Sequence, residues 1–118
     1  MVNRFRIPNE IEKEIRARDK RCVYCHKKMT SKINRARGKD YPTFEHFNMN
    51  VGAPNYWDEG LRIEDIAICC NQCNASRGSK KLPDWFRTKY CTSRNINGNT
   101  VADIVKKYLR RRRKKVRY

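Results

Sequence analysis

The chain has 118 residues, enough for one domain and too few for two comfortable ones. Its 29 Lys and Arg stand against 12 Asp and Glu, a formal net charge of +17, with 38% hydrophobic and 35% charged residues. That balance excludes a large self-sufficient core, and no run of about 18 apolar residues offers a membrane-spanning helix.

Residues 1–6 lead into no apolar signal region, so the chain is expected inside the cell. Residues 8–18 predict a helix: Pro8 suits an opening turn, and Ile7, Ile11 and Ile15 make one apolar stripe. Residues 19–29 hold a first cysteine pair in a tight knuckle, and 30–40 read as a polar, basic loop. Residues 41–47 are aromatic and β-prone, a first strand. Gly52, Pro54, Asn55 and Gly60 make 48–62 a loop. A second strand is expected over 66–69, then a helix over 71–80 that Gly78 can end early. Residues 83–90 predict another short helix, with Trp85, Phe86 and Tyr90 toward the core, and 92–99 read as a linker. Thr100 is expected to cap a last helix in which Val101, Ile104, Val105, Tyr108 and Leu109 keep the helical period. Past Leu109 the apolar stripe stops and a basic tail follows.

Six cysteines in a reducing compartment point to metal rather than to disulfides. Cys22-x-x-Cys25 and Cys70-x-x-Cys73 are two thiolate knuckles whose spacing lets both sulfurs of each pair reach one ion at about 2.3 Å. Four thiolates fill a tetrahedron and leave no position for water, so this is a structural Zn²⁺ site, one ion per chain. Cys69 competes with Cys70, but only Cys70 keeps the two-residue spacing to Cys73. Cys69 is expected to point into the core, and Cys91 lies at a helix end without a sequence partner. His26 follows a knuckle and reads as an ordinary surface histidine rather than a substitute ligand.

Between the knuckles lies Glu45-His46. In a flat strand these two side chains point to opposite faces, and a bulge or strand end is needed to bring them to one site. Asn74 directly follows the second knuckle. The run Cys70-x-x-Cys73-Asn74-x-x-Arg77-Gly78 resembles the closing motif of the HNH endonucleases, members of the His-Me finger or ββα-metal superfamily. Cys22, Cys25 and Glu45-His46 match that family's opening knuckle and its acidic-His pair, so the resemblance spans residues 22–80. It implies that His46 is the general base that takes a proton from water. It implies that Glu45 and Asn74 hold one catalytic divalent cation, Mg²⁺ or another, through hard oxygen ligands. It also implies products with 5′-phosphate and 3′-hydroxyl ends. One departure stands out: the family's middle Asn, five residues before the closing knuckle, is Asp65 here. Asp65 is the first candidate for that bracing role, with Asn48 or Asn55 as substitutes from the loop.

The flanks carry the affinity. Residues 106–118 contain nine Lys or Arg. Together with the net charge, they make phosphate contact by Arg110, Arg111, Arg112, Arg113, Lys114 and Lys115 the favoured reading over a solvated tail or a localisation signal. Arg77, Lys80 and Lys81 are candidate phosphate contacts beside the closing motif, with a solvated helix charge as the plain alternative for Arg77. Lys32, Arg35, Arg37 and Lys39 offer a second basic surface. Tyr56 and Trp57 can stack on bases, although packing over the zinc core is the commoner use of such residues.

The expected architecture is α+β, one compact unit with three parts. Residues 1–21 form an N-terminal helix, 22–80 a zinc-stapled ββα core, and 81–118 C-terminal helices with a basic tail. The expected function is a metal-dependent endonuclease acting on double-stranded DNA, resembling free-standing HNH proteins of phages and mobile elements in a prokaryotic host cytoplasm. The chain is expected to be a monomer or homodimer, without membrane partners. The rival readings are a non-catalytic zinc module binding DNA or RNA, and a ribosome-associated zinc protein.

Overall fold

A computed structural model of the chain describes residues 5–30, 40–47 and 56–116, with only the backbone for 112–116. The basic loop carrying Lys32, Arg35, Arg37 and Lys39, together with Asn48 and Asn55, lies outside the described residues. The fold is α+β. Helix α1 (Asn9–Arg18) precedes strand β1 (Pro42–His46). Two short 3-10 turns, Trp57–Glu59 and Ile63–Asp65, lead into strand β2 (Ile66–Cys70). Then come α2 (Asn71–Arg77), α3 (Leu82–Phe86), α4 (Lys89–Arg94) and α5 (Asp103–Val116). Among the described residues no helix is long and apolar enough to cross a membrane.

The two strands pair antiparallel, with Thr43 opposite Cys69, Glu45 opposite Ala67 and His46 opposite Ile66. Because side chains alternate along a strand, the small sheet separates two apolar clusters. One face, with Ile66, Ile68 and Phe44, packs on Phe5, Ile7, Ile15 and Leu61. The other, with Ala67 and Cys69, packs on Tyr24, Phe47, Trp85, Val101 and Val105. Every residue of β2 is therefore buried, which explains its unbroken apolar run.

The outer edge of β2 is covered rather than left open. Asp19, at the end of α1, accepts the Ile68 backbone N–H at 3.0 Å. Arg18 holds Asp19 at 2.7 Å and donates to the Ile66 carbonyl at 2.6 Å. The Val23 N–H donates to the Ile68 carbonyl at 3.3 Å. The first knuckle and α1 are thus fastened to β2 through hydrogen bonds that the apolar pattern alone does not reveal.

Several boundaries differ from the sequence expectation. The helix expected over 83–90 is two helices. The Thr88 hydroxyl turns back to the Trp85 carbonyl at 2.6 Å, a local bond of the kind that competes with helix continuation. The second of these, α4, extends into the first part of the region read as a linker and ends at Asn95, which adopts the left-handed conformation at φ 57°. Thr100 does not cap α5. Its hydroxyl and Asn97 close a turn instead, accepting the Asn97 N–H at 2.9 Å. The basic tail is not a tail up to Val116 but the continuation of α5, since Arg and Lys are good helix formers and favour a helix C-terminus. Trp57 packs against the Phe5 cluster and not over the zinc core.

Trp85 is wholly buried and meets the rings of Tyr24 at 4.8 Å and Tyr90 at 6.0 Å. Its indole N–H donates to the Ser76 hydroxyl at 3.0 Å, tying α3 to α2. Trp85→Ala is expected to cost about 3–5 kcal/mol, read as a lower denaturant midpoint, whereas Tyr56→Ala at the exposed surface should leave the midpoint nearly unchanged.

Candidate functional site

The two knuckles converge. The ligand atoms of Cys22, Cys25, Cys70 and Cys73 all lie within 4.8 Å of one another. A tetrahedral Zn–S length of about 2.3 Å sets sulfurs about 3.8 Å apart, and the Cys25 and Cys70 sulfurs are 3.9 Å apart. No sulfur pair is a disulfide: all six cysteines are free. Local backbone builds the cup. Residue His26 takes a positive φ of 64° after the first pair, and the Cys22 N–H donates to the Lys27 carbonyl at 3.1 Å. Cys70 ends β2 and caps α2, its sulfur accepting the Cys73 N–H at 3.4 Å.

Hydrogen bonding within the quartet pulls the Cys25 thiol down and holds Cys70 at about 7, while it pushes Cys22 and Cys73 up. Four thiols so close cannot all ionise without a cation, so the quartet is chemically suited to Zn²⁺ or a similar thiophilic ion. The Tyr90 hydroxyl lies 3.2 Å from the Cys73 sulfur, and burial followed by that sulfur pushes its phenol up, so it stays a donor. Lys27 sits within electrostatic reach of Cys70 and Cys25. Both temper the excess negative charge of a four-thiolate centre. Neither was singled out from sequence; the knuckle spacing identifies ligands but not the groups outside them.

A cleft of roughly 220 Å³ opens at the end of β1, lined by Phe5, Phe44, Glu45, His46, Asn74, Gly78 and Ser79. It joins three of the four expected catalytic residues. The strand ends at His46, so neighbours that alternate in direction border one cavity. The orientation of Asn74 is fixed by a short relay. The Thr43 hydroxyl gives its proton to the Cys69 carbonyl at 3.0 Å, so its oxygen accepts, and Asn74 Nδ2 donates to it at 2.9 Å. The Asn74 Oδ1 oxygen is left as an available hard acceptor. Thr43 was missed in the sequence, although it lies two residues before Glu45 and therefore on the same strand face.

Glu45 is 4% exposed. One oxygen, Oε1, accepts from Arg77 Nη1 at 3.1 Å, while Oε2 is buried with no hydrogen-bond partner among the described residues. Burial pushes its carboxyl up, and the Arg77 charge opposes that shift. His46, 3% exposed, stands edge-on to Phe5 at 6.2 Å, and its Nδ1 is likewise buried without a partner. Burial holds its imidazole below the ordinary histidine value against the nearby Asp65 charge.

Asp65 lies outside the cleft lining but adjoins His46. Its carbonyl accepts the Phe47 N–H at 3.0 Å, and its carboxylate accepts from Arg111 Nη2 at 3.2 Å. Its backbone thus holds Phe47, the residue after His46, a contact that any residue type at 65 can make. Tyr108 of α5 stacks on the Phe47 ring at 5.1 Å.

The expected phosphate contacts divide. Arg77 is 2% exposed and its guanidinium is taken up by protein acceptors, so it is not a solvated helix charge and offers no open surface to a phosphate. Lys80 and Lys81 are exposed, Lys80 leaning on the Ser76 carbonyl at 3.3 Å. Arg110 is exposed on α5, and Arg111 is half committed to Asp65. Arg112, Arg113, Lys114 and Lys115 follow on the same helix, their side chains outside the described set. Exposed His26 donates to the Thr100 carbonyl rather than joining the metal quartet, and Cys69 and Cys91 are buried in the core. Tyr56 is exposed, with the Arg6 guanidinium 5.1 Å over its ring.

No protein-family model, no curated protein and no solved structure matches the chain. Purified chain is expected to carry about one zinc, and Cys73→Ser or strong chelation should abolish the cooperative melting transition; elemental analysis with circular dichroism checks both.

Proposed function

We propose that the chain is a metal-dependent endonuclease of the HNH type that hydrolyses phosphodiester bonds of double-stranded DNA, with β1, β2 and α2 as its ββα core. The observation that carries this reading is that Glu45, His46 and Asn74 border one cleft beside two knuckles whose four thiols converge. The motif resemblance in residues 22–80 supports it, as does the net charge of +17. The rival, a zinc module that only binds nucleic acid, is favoured by one observation, the commitment of Glu45 Oε1 to Arg77.

The donor set fits a hard divalent cation such as Mg²⁺: Glu45 Oε2 is buried without a partner, and Asn74 Oδ1 is left free by the Thr43 relay. When bound, such an ion polarises the phosphoryl group and offsets charge on the leaving oxygen. His46, neutral because burial lowers its pKa, accepts a proton from water at Nδ1. The water oxygen bonds to phosphorus as the bond to the 3′ oxygen breaks. The 3′ oxygen takes a proton from solvent, leaving a 3′-hydroxyl and a 5′-phosphate. Phe5 and Phe44 wall the cleft with apolar surface and limit bulk water. Helix α5 and Lys80–Lys81 hold the phosphate backbone without reading bases.

Supercoiled plasmid should be nicked or linearised by the zinc-loaded chain with Mg²⁺, and His46→Ala should slow this by about 10²–10⁴-fold. Plasmid left intact with Mg²⁺, Mn²⁺ and Ca²⁺ alike, or a His46→Ala variant that cuts normally, defeats the reading. Replacing Arg110, Arg113 and Lys114 by Gln should weaken duplex binding and reduce its salt slope by about 0.9 per lost phosphate contact. Competition with RNA at matched salt checks that the preferred polymer is DNA.

A further inference from the structure

Arg77 closes α2 with a buried guanidinium, and its partners define what it does. Nε donates to the Lys80 carbonyl at 2.9 Å. Nη1 donates to Glu45 Oε1 at 3.1 Å and to the His46 carbonyl at 3.4 Å. Nη2 donates to the Phe47 carbonyl. Balancing the charge of Glu45 needs only the second of these contacts. The others grip the end of β1 and the turn after α2.

Two consequences bear on the cleft. With Oε1 taken by the fork, the carboxylate plane is set; Oε2 makes no full hydrogen bond among the described residues, and the Tyr24 hydroxyl and Cys69 thiol act on the same carboxyl from the core side. The carbonyls of His46 and Phe47 are held by the same planar group, so Arg77 grips the backbone at the end of β1, where two residues of opposite direction line one cavity. A lysine ammonium, a point charge without a planar fork, can reproduce the charge but not this geometry.

We propose that Arg77 is a positioning residue of the cleft: its guanidinium orients the Glu45 carboxylate and the His46 turn for a divalent cation and does not touch nucleic acid. The proposal rests on the reading of Glu45 as a metal ligand.

The test uses the full zinc-loaded chain with Arg77→Lys and Arg77→Gln, each first checked for one zinc per chain and a cooperative melt. Mn²⁺ is the probe, its free fraction counted by electron paramagnetic resonance. Wild type is expected to bind Mn²⁺ at a site lost in Glu45→Gln. Folded Arg77→Lys should bind it about tenfold or more weakly, the scale on which supporting residues tune a metal site. In plasmid cleavage the same variant should need about tenfold more Mg²⁺ for half-maximal rate, while its rate at saturating Mg²⁺ recovers toward wild type. A residue that only supports the fold would not move that half-saturation selectively. Wild-type Mn²⁺ affinity in folded Arg77→Lys overturns the proposal. So does loss of zinc or melt in both variants, which assigns Arg77 to the fold alone, and so does a wild type that binds no Mn²⁺. Mn²⁺ binding at Glu45 without cleavage of any DNA sinks the nuclease reading and leaves the role of Arg77 standing.

Discussion

The convergence of four thiols is the constraint on which the other contacts depend. It joins sulfurs 45 residues apart in the chain, where loop closure alone costs about 3 kcal/mol. The two apolar clusters on either side of the sheet are small, and a two-stranded sheet is marginal by itself. A cation held by the quartet would add coordination energy to that small core. The quartet brings together the first knuckle, the end of β2 and the first turn of α2. Asn74 follows Cys73 directly, so the quartet also decides where that side chain lies.

From that frame the polar contacts run outward in a definite order. Cys69 and Thr43 pair across the strands, Thr43 fixes the amide of Asn74, and Arg77 three residues later spans back to Glu45, His46 and Phe47. A buried ion pair such as Glu45–Arg77 is weak evidence for stability, because desolvation offsets much of its attraction. Its value here is specificity of position. The C-terminal helix reaches the same neighbourhood from the other side, through Tyr108 on Phe47 and Arg111 on Asp65. The middle of α5 therefore packs on Phe47 and Asp65, and its basic stretch continues beyond Arg111.

Much of this is legible in the residues themselves. The knuckle spacing identifies the quartet, the aromatic, β-prone run over 41–47 and the apolar run over 66–69 identify the strands, and Gly78, at φ 56°, marks where α2 ends. What the sequence hides is polar and long-range. Arg77 looks like any basic residue at a helix end, and only the register that puts Glu45 beside it shows it to be buried. Asp19 and Arg18 look like surface charges, yet they close the edge of β2. The break at Thr88 turns on a hydroxyl returning to a carbonyl three residues back. Helicity past Leu109 escapes an apolar-period argument because Arg and Lys favour helix without marking an apolar stripe.

The central claim is that the zinc-framed cleft performs hydrolysis with His46 as its base. Mapping the ends produced on a defined, end-labelled duplex tests it most directly, with wild type and His46→Ala side by side in Mg²⁺. Wild type should leave 3′-hydroxyl and 5′-phosphate ends, and the variant nearly none. An uncut duplex, ends of another chemistry, or equal cutting by both proteins would contradict it.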